Sequence, residues 1–149
     1  ENPNWLITGL DKSSEAVLLA KENAIIHKLE RVNFIQSDWF SAVEQQQFNL
    51  IVTNPPYIED NNHYLQQGDV RFEPSNALRS GLDGLDDIRL IVSQSKYYLA
   101  DNGWLVIEHG YQQHSQVTNI LSAHGFNQIR SEYDLNGLPR VSIGKIGKI

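Results

Sequence analysis

The chain contains no cysteine and no methionine. Without cysteine, neither a disulfide framework nor a Cys-based zinc site can form. No apolar run approaches the roughly 20 residues that a membrane-spanning helix needs. No charged-then-apolar leader opens the chain either. A cytoplasmic location with no membrane partner is therefore expected. Basic residues are scarce: 12 Lys and Arg stand against 18 Asp and Glu, for a net charge of −6. They are scattered, with only a mildly basic end at Lys145 and Lys148. A duplex nucleic-acid surface requires a basic stripe, so direct nucleic-acid binding is not expected. The five histidines show no metal-ligand spacing. His109 reads as a structural hydrogen-bonding residue at the end of a strand.

Proline is also sparse, with five in 149 residues, yet two of them are adjacent. The apolar run Phe48 to Val52 stops at Asn54-Pro55-Pro56-Tyr57. Paired prolines cannot donate ladder hydrogen bonds, and they fix φ near −65°. Each forces an extended conformation on the residue before it. The strand must stop there, and the backbone beyond it is stiff. A rigid loop at the carboxyl end of a strand is where open α/β sheets place their chemistry. Asn54 offers a side-chain carbonyl, and Pro55 and Pro56 offer main-chain carbonyls with no competing N–H. Tyr57 adds a flat ring with a polar tip. Together they suit a planar –NH2 group, accepting both N–H bonds and covering its face.

That cradle fits methyl transfer to nitrogen. An amide or exocyclic amine is a poor nucleophile because its lone pair is conjugated. Acceptors on both N–H bonds orient the nitrogen and oppose its loss of electron density during attack. The competing reading of the tetrapeptide is a simple turn, which Asn-Pro also favours.

Elsewhere the chain alternates strand and helix patterns. Residues 5–10 read as a strand ending at Asp11. A helix capped by Ser13 or Ser14 follows to about His27, with apolar positions Ala16, Leu19, Ala20, Ala24 and Ile25. Further strands are expected over 32–36, 48–53 and 104–108, and helices over 85–99 and 112–123. Residues 57–83 form a long polar connection, a length usually tied to function or disorder. Residues 127–133 and 140–146 suggest a final strand pair. Its connection is too short for a parallel crossover, so it should be an antiparallel hairpin. The expected fold class is α/β, a mostly parallel Rossmann-like sheet with a C-terminal antiparallel hairpin.

Three strand ends carry residues suited to one nucleoside ligand. Asp11 can accept the hydroxyls of a ribose. Asp38 can accept from an adenine amino group while Trp39 offers its indole face. Asn54 stands where the acceptor nitrogen would sit. Taken singly, each Asp is equally a helix cap or turn residue, and Trp39 a core residue. Taken together they describe an adenosine crevice leading to an –NH2 acceptor, which points to S-adenosylmethionine as cofactor.

Over essentially its whole length the chain resembles the protein-(glutamine-N5) methyltransferases of peptide chain release factors, the PrmC or HemK family. The segments that carry the resemblance include Ser37 to Phe40, Asn54 to Ile58, Gln67 to Pro74 and Glu108-His109-Gly110. The run Asp134 to Gly144 belongs with them. Asn-Pro-Pro-Tyr is shared by several amino-methyltransferase families, whereas Val70-Arg71-Phe72-Glu73-Pro74 is far more specific. The resemblance implies a class I S-adenosylmethionine-dependent methyltransferase. Asn54 and Pro55 would hold the glutamine amide of a Gly-Gly-Gln loop, beside Pro56 and Tyr57. Arg71 and Glu73 would wall that pocket, their alternative being a local ion pair. Asp11 would bind the cofactor ribose, Asp38 and Trp39 its adenine, and Asn54 would border it. A monomer acting on release factors is expected.

One departure stands out. Residues 1–10 contain no match to the family's glycine-rich cofactor loop, and the chain begins with Glu1. Residues 1–149 are thus expected to be a partial catalytic domain, without the N-terminal helical domain and first β-α unit. In the family's sheet that missing strand lies between residues 5–10 and 48–53. Taken alone this stretch is expected to bind cofactor weakly and to be an inactive fragment. A nucleic-acid amino-methyltransferase, acting on adenine N6 or guanine N2, is the other alternative. It would need base flipping and a basic groove.

Overall fold

The computed structural model describes residues 4–44, 46–60 and 78–147. In chain order the elements are β1 (Ile7–Asp11), α1 (Ser14–Ile26), β2 (Val32–Gln36), β3 (Phe48–Thr53), α2 (Asp86–Tyr98), β4 (Leu99–Glu108), α3 (His114–Ala123), β5 (Phe126–Tyr133) and β6 (Pro139–Ile146). They fall into two compact units, Glu1–Gln46 and Gln47–Ile149.

In the first unit β1 and β2 run parallel, Ile7 opposite Val32 and Asp11 opposite Gln36. Ser13 starts α1: its Oγ accepts from the Ala16 N–H at 3.1 Å. Such a cap contributes about 1 kcal/mol. The helix buries a narrower stripe than its apolar positions suggest. Val17 and Ala24 are buried, whereas Leu19 and Ile25 are exposed, at 59% and 78%. Two strands only about 4.8 Å apart offer a helix a single stripe to cover.

The second unit is a four-stranded mixed sheet, ordered β3-β4-β6-β5. β3 and β4 are parallel, and β6 is antiparallel to both β4 and β5. The expected C-terminal hairpin is therefore present, inserted so that β6 lies against β4. Leu105 and Ile107 alternate along β4 and are fully buried with Ile88, Ile91 and Val92 of α2 and Val117 and Leu121 of α3. Burying each such side chain stabilises the fold by about 1.5–3 kcal/mol.

Three element boundaries differ by two residues or more from the sequence reading, the first being β1, which starts at Ile7 and not at residue 5. β4 begins at Leu99, not Trp104, because Leu99 pairs with Phe48 before the register shifts and Trp104 pairs with Leu50. Asn102 takes a left-handed φ of 62° within that shift. The helix expected from 112 opens with a 3-10 turn, Tyr111–Gln113, before α3 proper. Among the described residues no helix is long and apolar enough to cross a membrane.

Candidate active site

In the first unit, the ladder brings Asp11 and Asp38 to neighbouring strand ends. Ser37 N–H donates to the Asp11 carbonyl at 2.9 Å, extending the pairing one step past β2. Asp11 Oδ1 accepts from the Ser13 N–H at 2.8 Å, so this carboxylate does hold the turn into α1. Asp38 Oδ2 lies 2.7 Å from Lys12 Nζ. Those side chains are 74% (Lys12) and 55% (Asp38) exposed, so water screens the pair to at most about 1 kcal/mol. Lys12 was not singled out from the sequence.

Trp39 is held in an unusual conformation, with φ at 51°. A non-glycine residue there costs about 1–2 kcal/mol. Ser37 explains how it persists. Its buried hydroxyl donates to the Trp39 carbonyl at 2.6 Å and accepts from the Ala42 N–H at 3.0 Å. Ser41 Oγ accepts from the Asp38 N–H at 3.1 Å. The loop that presents Asp38 and Trp39 is thus over-determined by hydrogen bonds, as strained functional loops are.

In the second unit, β3 delivers Asn54 to solvent while Pro55 is fully buried behind it. The buried ring fixes the strand exit and leaves the Asn54 amide exposed. Tyr57 is half-buried between two charged groups. Its hydroxyl donates to Glu108 Oε1 at 3.4 Å and accepts from Arg140 Nη2 at 3.3 Å. The Arg140 guanidinium also stands 5.8 Å from the Tyr57 ring centre. Burial raises the phenol's pKa, so Tyr57 remains protonated as both donor and acceptor. Glu108 ends β4 and Arg140 lies near the start of β6, so the β4-β6 pairing assembles this trio.

His109 follows Glu108 and is fully buried. Its Nδ1 lies 2.9 Å from the Gly110 carbonyl and its Nε2 2.8 Å from Ser142 Oγ. A carbonyl only accepts, so Nδ1 carries the proton and Nε2 accepts from the serine. Both ring nitrogens are used, which makes His109 a structural residue as expected. Burial pushes its pKa below the ordinary value and outweighs the hydrogen bond to the Gly110 carbonyl, which pulls it up. In the unfolded chain the ring titrates near 6.5. As pH falls through that value the unfolded chain takes up a proton that the folded one resists. The contribution of neutral His109 is fully present above about pH 6.5 and is lost below it, with a slope of at most about 1.4 kcal/mol per pH unit. Urea unfolding of His109→Gln should show a flatter stability profile between pH 7 and pH 5 than the wild type. Equal slopes would show that His109 does not couple folding to protons.

The sequence assigns no role to Lys12 or Gln113, and none to Gly84 or Arg140, although these two lie in segments that carry the family resemblance. Arg71 and Glu73, expected to wall the acceptor pocket, lie outside the described residues. Among the described residues no group of histidines and carboxylates could hold a metal ion.

Residues 1–81 match the model of the methyltransferase small domain. The chain belongs to the methyltransferase small domain family. It is 47% identical over 145 residues to the release factor glutamine methyltransferase of Pseudomonas aeruginosa, covering 97% of this chain and 52% of that protein. The chain spans about half the length of the curated relatives it matches. Among solved structures, it superposes with a TM-score of 0.51 on the release factor-specific protein-(glutamine-N5) methyltransferase of Alicyclobacillus acidocaldarius, at 20% identity over 95% of this chain and 79% of that one. The N-methyltransferase NodS of Bradyrhizobium japonicum, in complex with S-adenosyl-l-homocysteine, superposes at 0.56 with 14% identity, over 93% of this chain and 65% of that one. At these identities the superpositions speak to fold, and the α/β fold is that of class I methyltransferases. This small domain thus carries the Asn-Pro-Pro-Tyr exit of β3 on a methyltransferase sheet.

Proposed function

We propose that the intact protein transfers a methyl group from S-adenosylmethionine to the side-chain amide nitrogen of the glutamine in a release factor's Gly-Gly-Gln loop. The observation that carries this reading is the β3 exit, an exposed Asn54 backed by a buried Pro55 and a pinned Tyr57. The 47% identity to a release factor glutamine methyltransferase supports the same substrate. Asn54 Oδ1 and the Pro55 carbonyl accept the two N–H bonds of the glutamine amide, and Pro56 and Tyr57 flank it. These acceptors keep electron density on the nitrogen as its lone pair forms the new N–C bond, and the displaced proton leaves the amide for water.

The cofactor role falls to the first unit. Asp11 and Asp38 end adjacent strands as exposed carboxylates, and Trp39 is presented on a braced loop. That donor set fits an adenosine: ribose hydroxyls on Asp11, the adenine amino group on Asp38, the ring on Trp39. S-adenosylmethionine, when bound, supplies a methyl on a positively charged sulfur that departs with its bonding electrons. Release factors work in the cytoplasm, which is the location this reading implies.

Label transfer tests the substrate. With methyl-labelled cofactor, the intact protein should label a folded release factor and leave DNA and RNA unlabelled. Replacing the loop glutamine by alanine should abolish the signal. Label in nucleic acid with none in protein would favour an adenine or guanine amino-methyltransferase instead.

A further inference from the structure

Gln113 lies outside the motifs that the sequence marks, yet its buried side chain meets four main-chain groups. Its Oε1 accepts from the Gly110 N–H at 2.9 Å. Its Nε2 faces three main-chain carbonyls: Tyr57 at 2.9 Å, Asp83 at 3.2 Å and Gly84 at 3.3 Å. An amide has two N–H donors, and here both point into one knot of backbone. Residues 57 and 83–84 are the two ends of the long connection between β3 and α2. One side chain therefore ties both ends of that connection to the start of the helical segment after β4.

We infer that Gln113 is a positioning residue for the acceptor site: it sets the carbonyl of Tyr57, and through the two prolines the orientation of Asn54 and the Pro55 carbonyl. The inference rests on the proposed role of Asn54 and Pro55. Stiffness is what makes the linkage work. Between Asn54 and Tyr57 the two proline φ angles are fixed, and Pro55 is immobilised by burial. With both φ angles fixed, only the ψ angles of Pro55, Pro56 and Tyr57 can absorb a shift of the Tyr57 peptide, and what they do not absorb reaches the Pro55 carbonyl and Asn54. Gly84 leaves the room that the Tyr57 carbonyl occupies. Its Cα stands so close to Tyr57 that an added Cβ would collide with the Tyr57 carbonyl oxygen and lie 2.7 Å from Gln113 Nε2. A further pair, the Ile58 N–H to the Leu78 carbonyl at 2.9 Å and the Ser80 N–H to the Ile58 carbonyl at 3.0 Å, pins the next residue. The Tyr57–Ile58 peptide is thus held on both sides, its carbonyl by Gln113 and its N–H by the Leu78 carbonyl.

Two variants of the intact protein separate the halves of Gln113. Gln113→Glu keeps an acceptor for the Gly110 N–H, and so the helix start, while removing the donors to Tyr57, Asp83 and Gly84. Gln113→Met keeps the length and removes everything. Both should lower kcat for release factor methylation by about ten- to a hundredfold, the cost of a misplacement on the order of 1 Å. Cofactor affinity by calorimetry should change far less than kcat, because Asp11, Asp38 and Trp39, which carry the proposed adenosine contacts, lie outside the segment that Gln113 holds. Amide exchange should quicken at Tyr57 and Ile58 while the buried amides of β4 and β6 exchange as in the wild type. Wild-type kcat per folded molecule, with unaltered exchange at Tyr57, would overturn the inference. Exchange that quickens across the whole second unit would overturn it too, since Gln113 would then be a general fold residue. A wild type that labels no release factor sinks the proposed function alone, while the exchange comparison still decides whether Gln113 holds this segment.

Discussion

Asn54→Ala in the intact protein should abolish most methyl transfer while leaving cofactor binding nearly intact. The alanine removes one oriented acceptor from the position where the reacting nitrogen would be held. Losing such a group in a preorganised site costs about 3 kcal/mol, on the order of a hundredfold in rate. The effect should fall on kcat and not on stability. Asn54 is exposed, and the fixed backbone at Pro55 does not depend on the asparagine side chain. Asp11, Asp38 and Trp39, which carry the proposed adenosine contacts, are untouched by the substitution, so calorimetric cofactor affinity should barely move. Single-turnover kinetics on a release factor would check the rate. Near-normal turnover would mean that Asn54 is a turn residue and that the acceptors lie elsewhere.

Local signals made much of this fold readable. The bounds of β2 and β3 follow from short apolar runs closed by Ser37-Asp38 and by Asn54-Pro55. The cap at Ser13 was visible because a serine before an apolar repeat has one common structural use. β4 was placed too late because the pairing of Leu99 with Phe48 is tertiary, and the intervening Asp101-Asn102-Gly103 reads as a plain turn. The exposure of Leu19 and Ile25 had the same origin: helical periodicity says which residues share a face, not how wide a surface waits to cover it. The site divided along similar lines. Asn54 and Asp38 stand out as candidates by their chemistry at a strand end. Gln113 and Arg140 act on Tyr57 from 56 and 83 residues away, a distance no local pattern spans. The one local trace of Gln113 is its place three residues after Gly110, from which its Oε1 reaches back to the Gly110 N–H; that spacing does not foretell its hold on Tyr57.

The close approach at Gly84 yields a stability contrast within one chain. Gly84 and Gly137 share a positive φ, 70° and 75°. Their surroundings are opposite. A Cβ on Gly137 would meet nothing within 4 Å, whereas one on Gly84 would strike the Tyr57 carbonyl oxygen and come within 2.9 Å of its carbon. Either alanine must occupy a left-handed conformation, at about 1–2 kcal/mol. Only Gly84→Ala adds overpacking, worth about 1–3 kcal/mol more. Relief is hard to find, because the struck atoms are backbone and follow two prolines whose φ angles do not yield. Gly84→Ala should therefore destabilise the intact protein by about 2–5 kcal/mol, against about 1–2 kcal/mol for Gly137→Ala. Gly84→Ala should also slow methyl transfer, because the displaced carbonyl is the one that Gln113 holds, while Gly137→Ala in the β5–β6 turn should leave turnover unchanged. Denaturant unfolding of the two variants side by side gives the difference directly. Equal destabilisation would show that the segment at Tyr57 has room to move, and that the rigidity ascribed to the acceptor cradle is absent.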